Sequence, residues 1–331
     1  MRKQLFDNHG RVLNYLRLAV TDRCNLRCFY CMPEEGIKYI DRKELLSYEE
    51  IIRTIKVLSE LGIEKVRITG GEPFLRKDMM QLLRSIRALP KIRQINITTN
   101  GTHIQPHIKE LKRLGIRSVN LSLDSLDRGR FFEITRRDEF DKVMHTFETL
   151  LSEGFNVKIN AVVMAGKNEE DIIPMAELAK EKQVSVRFIE EMPFNGSGAH
   201  YETLKWNYNN IRAKLKEHFS DLKKIRDPKF STAMNFRVPG HMGTIGIIPA
   251  YSRTFCGTCN RIRITPKGML KTCLYDDGVF NIKNFIRANA TDEQLSATFL
   301  EAFRHRAKDG FEAESKRFGG GASESMATIG G

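Results

Sequence analysis

Between residues 13 and 190 the chain alternates six times between short apolar runs and helical runs. The apolar runs fall at 13–20, 65–69, 94–98, 118–123, 157–164 and 184–189, and they are rich in Ile, Val and Leu. Runs of that length and composition are expected of strands buried on both faces. Helices are predicted between them. The first opens on a capping box, Ser47 with Glu50, and stops at Gly62. Others are predicted at 78–88, ending before Pro90, and at 105–114, 138–153 and 168–181. Repeated strand–helix units of this kind predict an α/β fold on a parallel sheet. Periodicity alone leaves both a doubly wound sheet and a partial barrel open.

In either case a site belongs at the C-terminal ends of the strands. The unusual residues stand there: Cys24 after the first run, Gly70-Gly71-Glu72-Pro73 after the second, Thr99-Asn100-Gly101 after the third, Asp124-Ser125 after the fourth, and Glu190-Glu191-Met192-Pro193 after the sixth. Past Pro193 the pattern changes. A loop at Asn195-Gly196-Ser197-Gly198 and a helix over 206–219 precede a boundary near Asp227-Pro228. Short strands follow over 229–275, then helices near 281–288 and 291–308, and a Gly/Ser-rich segment from 318 to 331. A division into 1–220 and 221–331 is the expected domain organisation.

Composition sets limits. At 41% hydrophobic and 29% charged, 331 residues read as a globular protein with a sizeable core. The sequence shows no apolar stretch of the length that spans a membrane and no secretory signal, which predicts a cytoplasmic protein with reduced thiols. The net charge of +13 is spread along the chain without a Lys/Arg tract. That suits an anionic small molecule at least as well as nucleic acid.

The six cysteines form two triples with none left over. Disulfides need pairs, so triples point to metal clusters. The first is C-x3-C-x2-C, Cys24, Cys28 and Cys31, with Tyr30 before the last thiol. Iron–sulfur cubanes normally take four thiolates, so three leave one iron open to a small molecule. A closed zinc site wants a fourth ligand nearby, and a buried thiol cluster or zinc knuckle is the plain alternative. The second triple is C-x2-C-x13-C, Cys256, Cys259 and Cys273, for which His241 could complete a zinc set. Arg261 and Arg263, two residues apart after Cys259, share one face of a strand and suit a phosphate. The terminal Gly330-Gly331, judged by composition, reads as an unstructured tail.

The first triple together with Gly70-Gly71-Glu72-Pro73 resembles the radical S-adenosylmethionine (SAM) enzymes. Further motifs narrow the resemblance to the GTP 3',8-cyclase family, which acts first in molybdenum-cofactor biosynthesis. These are Leu16-Arg17, Cys31-Met32-Pro33-Glu34-Glu35-Gly36, Arg67-Ile68-Thr69, Ile134-Thr135-Arg136-Arg137-Asp138, Phe255-Cys256, Cys259-Asn260-Arg261 and Gly330-Gly331.

The resemblance implies a partial six-fold (β/α) barrel with a C-terminal α+β extension. It implies two [4Fe-4S] clusters, one per cysteine triple, with SAM on the first and GTP beside the second. Tyr30, Gly71, Ser122 and Met192 match SAM-contacting positions. Arg17, Arg67, Thr98, Lys158, Arg261 and Arg263 match GTP-contacting ones, and Gly330 and Gly331 match a catalytic tail. Implied partners are a one-electron donor such as flavodoxin or ferredoxin and a downstream cyclic pyranopterin monophosphate synthase. No membrane or nucleic acid is implied, and a homodimer is left open. The implied chemistry is hydrogen abstraction from C3' of GTP and closure onto guanine C8. The rival readings are a two-cluster radical SAM enzyme acting on a peptide and a zinc-stabilised basic RNA-binding protein.

Overall fold

The computed structural model describes residues 4–194, 204–317 and 324–331. The expected loop at Asn195-Gly196-Ser197-Gly198 and the segment 318–323 lie outside the described residues.

The strands are β1 Tyr15–Ala19, β2 Lys65–Thr69, β3 Gln94–Thr99, β4 Ser118–Ser122, β5 Asn156–Val163, β6 Ser185–Glu190, β7 Lys223–Lys224, β8 Met234–Arg237, β9 Thr244–Ile248, β10 Arg261–Ile264, β11 Met269–Lys271 and β12 Phe280–Asn281. The α-helices are α1 Tyr48–Leu61, α2 Met79–Arg87, α3 Ile108–Arg113, α4 Arg128–Thr135, α5 Phe140–Ser152, α6 Ile172–Glu181, α7 Tyr208–His218, α8 Ile282–Arg287, α9 Asp292–Arg304, α10 Gly310–Ser315 and α11 Met326–Ile329. The six predicted strands are all present, shifted at most by two residues at an end. No helix among the described residues is long and apolar enough to cross a membrane.

The chain falls into two compact units. One comprises Met1–Asn25, Ile37–Ile97 and Cys256–Gly331, and the other Leu26–Gly36 and Thr98–Phe255. This grouping is interleaved and differs from a single cut at residue 220. The reason is strand pairing: β10, from the far end of the chain, adds in parallel to β1, whereas β9 adds in parallel to β6.

In the first unit β3, β2, β1 and β10 run parallel, and β11 and β12 continue antiparallel. Helix α1 shows why its sequence is helical. Ser47 accepts a hydrogen bond from the Glu50 amide, and the Glu50 carboxylate accepts one from the Ser47 amide. The backbone turns left-handed at Gly62, with φ of 125°. Ile51, Ile55 and Leu58, spaced along one helical face, are buried. Each contributes about 1.5–3 kcal/mol by leaving water.

In the second unit β4, β5, β6 and β9 run parallel, with β8 and then β7 antiparallel. Helix α6 carries Pro174 in its first turn, where the missing N–H has no intrahelical partner to lose. Helix α4 was not expected from the sequence, because its Arg128-Gly129-Arg130 start is polar and holds a glycine. Its N-cap supplies the signal: Asp127 accepts from the Arg130 amide at 2.8 Å.

Candidate active site

The loop after β1 is shaped by glycine in the first unit. The Gly71 amide donates to Thr21 O and the Glu72 amide to Arg23 O, both at 2.8 Å. A Cβ on Gly71 would lie 2.3 Å from the Arg23 carbonyl oxygen. The missing side chain clears space for the segment running into Cys24, so Gly71 positions that cysteine loop.

Cys28 and Cys31 belong to the second unit. The amides of Cys31 and Met32 both donate to Cys28 O, forming a tight turn over the buried Met32. The turn is tied to the end of α4, where the Arg27 amide donates to Thr135 O at 2.8 Å and the Phe29 amide to Ile134 O at 3.2 Å. This gives the Ile134–Asp138 motif a physical role: it is the dock for the cysteine loop. Tyr30 donates its hydroxyl to Asp124 Oδ2 at 2.8 Å, and the Val162 amide donates to Asp124 Oδ1. Burial lifts the Asp124 carboxyl to about 6 against these hydrogen bonds. Burial, with Asp124 and the nearby thiols, pushes the Tyr30 phenol well above its usual value. Ser122 ends β4 and Met192 stands just past β6, both half-buried. Thr98 is buried near the end of β3, and Lys158 is half-buried in β5 opposite Asn120.

The first unit also gathers a cationic sheet face. In the register of the three parallel strands, Arg17 stands between Arg67 of β2 and Arg263 of β10. One pleat earlier, Tyr15 stands between Lys65 and Arg261. Alternation along each strand puts all six on one face, with neighbouring strands about 4.8 Å apart. Like charges side by side on a sheet repel. Burial, and then the charges of Arg263, Arg67 and Arg261 against a pull from Tyr15, hold the Arg17 guanidinium well below its ordinary pKa. Its Nε is buried without a hydrogen-bond partner. Such a face calls for an anion with several charges. Tyr15 and Lys65 were missed in the sequence, although their spacing two residues from Arg17 and Arg67 was the available signal.

Tyr15 accepts a hydrogen bond from Arg67 Nε, and Lys65 Nζ lies 4.6 Å from its ring centroid. Burial would raise its pKa, but Arg67, Arg17 and Lys65 bring it down to about 7. We predict a phenolate absorbance step near pH 7 that is absent from Tyr15→Phe. The folded value is depressed below the unfolded value near 10, so ionised Tyr15 adds stability that grows from pH 7 to about 10 and is lost below 7. A polyanion on the same cations should move the step upward. A step unmoved by triphosphate would refute an anion site on this face.

The second triple lies in the first unit, with Cys256 and Cys259 before β10 and Cys273 just after β11. No disulfide joins any of the six cysteines. Burial would raise the Cys259 thiol, but the charges of Arg261 and Arg306 and hydrogen bonds from Arg261 bring it to about 6. Burial pushes Cys273 up to about 11. Among the described residues, no group of three His, Cys, Asp or Glu closes on a single metal ion. A thiol held low by two guanidiniums is readily a thiolate, the form in which a sulfur binds a metal, so Cys259 fits a ligand of a cluster. His241, the proposed fourth zinc ligand, packs edge-on against Phe219 and belongs to the other unit.

Gly330 and Gly331 follow α11 and are held by hydrogen bonds from side chains. The Gly330 carbonyl accepts from Arg263 Nη1 and the Gly331 carbonyl from Thr69 Oγ1, each at 2.6 Å. The end of the sequence therefore reaches the cationic face, contrary to the reading from composition.

Comparison with known proteins agrees with this geometry. The Radical SAM superfamily profile matches residues 18–179, and the Molybdenum Cofactor Synthesis C profile matches residues 184–311. A GTP 3',8-cyclase of Syntrophomonas wolfei is 39% identical over 95% of this chain and 98% of its own length. Human molybdenum cofactor biosynthesis protein 1 is 39% identical over 88% of this chain, which spans 46% of that protein's length. The chain likewise spans about half the length of the other animal relatives it matches. Among solved structures, Streptococcus suis SuiB aligns over 94% of this chain and 70% of its own, with a TM-score of 0.60 at 17% identity, a likeness of fold. The fold is the radical SAM α/β fold, its parallel strand–helix repeats extended at the C-terminal side. The chain belongs to the radical SAM superfamily and, within it, to the family of the GTP 3',8-cyclases.

Proposed function

We propose that this protein is a GTP 3',8-cyclase, closing C3' of the GTP ribose onto C8 of guanine in the first step of molybdenum-cofactor biosynthesis. The observation that carries the substrate is the cationic face: five cations around one phenol, with a buried, unpartnered Arg17 Nε. A triphosphate supplies the several negative charges this face wants, and guanidiniums bind phosphate through paired N–H groups.

Cys24, Cys28 and Cys31 would hold one [4Fe-4S] cluster, and Cys256, Cys259 and Cys273 a second. The first cluster, once reduced by an external donor, would supply the electron for cleavage of bound SAM and so a carbon radical for hydrogen abstraction. The chain's own residues bind and orient. Gly71 shapes the approach to Cys24, and the α4 end holds Cys28 and Cys31. Tyr30, Gly71, Ser122 and Met192 are proposed contacts for SAM. Arg17, Arg67, Arg261, Arg263, Thr98 and Lys158 are proposed contacts for GTP, and Lys65 and Tyr15 join the proposal because they share the arginines' sheet face. Holding the substrate in one pose is what selects C3' among the available C–H bonds. A one-electron donor of flavodoxin or ferredoxin type and a downstream pyranopterin synthase are the proposed partners. A peptide substrate would leave the five-cation face unexplained.

The test is anaerobic incubation with SAM, a strong reductant and each of the four NTPs, followed by mass analysis. A cyclised product of GTP alone is expected. A product from none of the NTPs, with SAM cleaved, would count against GTP as substrate. Arg17→Met keeps the apolar stem and removes the charge. It should weaken GTP binding by roughly ten- to a hundredfold, the effect of a lost charge-assisted contact worth about 1.5–3 kcal/mol. It should also raise the thermal midpoint of the unliganded protein, because it relieves repulsion within the row. Unchanged GTP affinity would remove Arg17 from the site.

A further inference from the structure

Arg306, just past α9, is 4% exposed and belongs to none of the motifs read from the sequence. All five of its N–H donors are used. Nε donates to Thr272 O at 2.9 Å. Nη1 donates to Asp7 Oδ2 at 3.1 Å and to Cys259 O at 2.9 Å. Nη2 donates to Arg261 O at 2.9 Å and to the Cys259 sulfur at 3.2 Å. Arg11 shares the same carboxylate oxygen, its Nε donating to Asp7 Oδ2 at 2.6 Å. It donates through Nη1 to Cys256 O at 3.2 Å and to Lys308 O at 2.6 Å. Asp7 Oδ1 in turn accepts from the amides of His9 and Arg11, both at 2.9 Å.

One buried network thus touches two cysteines of the second triple and the residue before the third: Arg11 at Cys256, Arg306 at Cys259, and Arg306 again at Thr272, next to Cys273. Burying two guanidiniums around one carboxylate is costly, and ion pairs alone give little return on that cost. A net positive charge delivered to a sulfur that becomes a metal-bound thiolate gives the network a purpose.

We propose that Arg306 is a positioning and potential-setting residue for an iron–sulfur cluster on Cys256, Cys259 and Cys273, held in place by Asp7 and Arg11. The inference rests on the two-cluster reading above. Reduction adds one electron from an external one-electron donor, with no bond made or broken. The added negative charge is stabilised by a guanidinium hydrogen-bonded to the ligating sulfur, so Arg306 raises the cluster's reduction potential. Asp7 moderates that effect by neutralising part of the positive charge.

The experiment uses full-length protein carrying Cys24→Ala, Cys28→Ala and Cys31→Ala, which leaves only the second set of thiols. Iron content and an EPR-monitored redox titration are read for this parent and for two further variants. Arg306→Gln should make reduction about tenfold less favourable, a fall of ~59 mV for one electron. Asp7→Asn, which leaves the guanidinium at Cys259 but removes its counter-charge, should shift the midpoint upward. Opposite signs are the mark of an electrostatic role; a residue that only props up the fold would lower stability and leave the midpoint alone. If Arg306→Gln fails to fold, the sign of the Asp7→Asn shift decides. Midpoints within twofold of the parent equilibrium in each variant that folds overturn the proposal. A parent that binds no iron instead overturns the two-cluster reading on which the proposal stands.

Discussion

Changing Cys24, Cys28 and Cys31 together to Ala is expected to leave roughly half the iron and to abolish SAM cleavage. The half follows from one cubane per triple. The complete loss follows because SAM would be cleaved only on the cluster that these three thiols would hold. The surrounding structure should survive, because the loop is held by backbone. The Thr135 and Ile134 carbonyls keep the Arg27 and Phe29 amides, and Thr21 and Arg23 keep those of Gly71 and Glu72. Changing Cys256, Cys259 and Cys273 instead should remove the other half of the iron and all cyclised product, while some uncoupled SAM cleavage persists. Iron assay, thermal melting and 5'-deoxyadenosine release together check the prediction. Full iron and full turnover in the second variant would show that the second triple holds no cluster.

Much of this arrangement was legible in the sequence, and the reason is local. Strand and helix periodicity act over a few residues, so β2 emerged at its observed bounds and α1 with both its caps. The cysteine triples and the glycine pair are likewise short-range patterns. What was not legible depends on partners far apart in sequence. Arg17 and Arg263 are neighbours only because β10 pairs with β1, which no local spacing announces. The same holds for Asp7 and Arg306, joined at 3.1 Å across 299 positions. The close pass of Gly71 against the Arg23 backbone is also non-local, since a sequence shows that space is needed but not what occupies it. Helices α10 and α11 were passed over because each spans barely a turn or two, too short for a period to register.

Deleting Gly330 and Gly331 is expected to suppress cyclised product while iron content and SAM cleavage persist. The segment is tied down from its near end. Lys271, fully buried, pairs with Glu324 at 2.6 Å, and Arg317 reaches the same carboxylate at 3.3 Å. Ser325 caps the short α11 by accepting from the Ala327 amide, and Ile329 is buried. The chain then turns at Gly330 with φ of 81°, a conformation that L side chains rarely adopt. A Cβ there would lie 2.9 Å from Ala19 Cβ and from Thr69 Cγ2. Only glycine lets the backbone pass at that point and bring its carbonyl to Arg263. Without the pair, Arg263 loses its acceptor and is free to leave its place in the cationic row, so the substrate loses orientation while the cluster thiols are untouched. Gly330→Ala should reproduce most of the loss through steric expulsion alone, whereas Thr328→Ala, upstream of the turn, should not. A truncated protein that cyclises GTP at the wild-type rate would reduce the segment to a packing element.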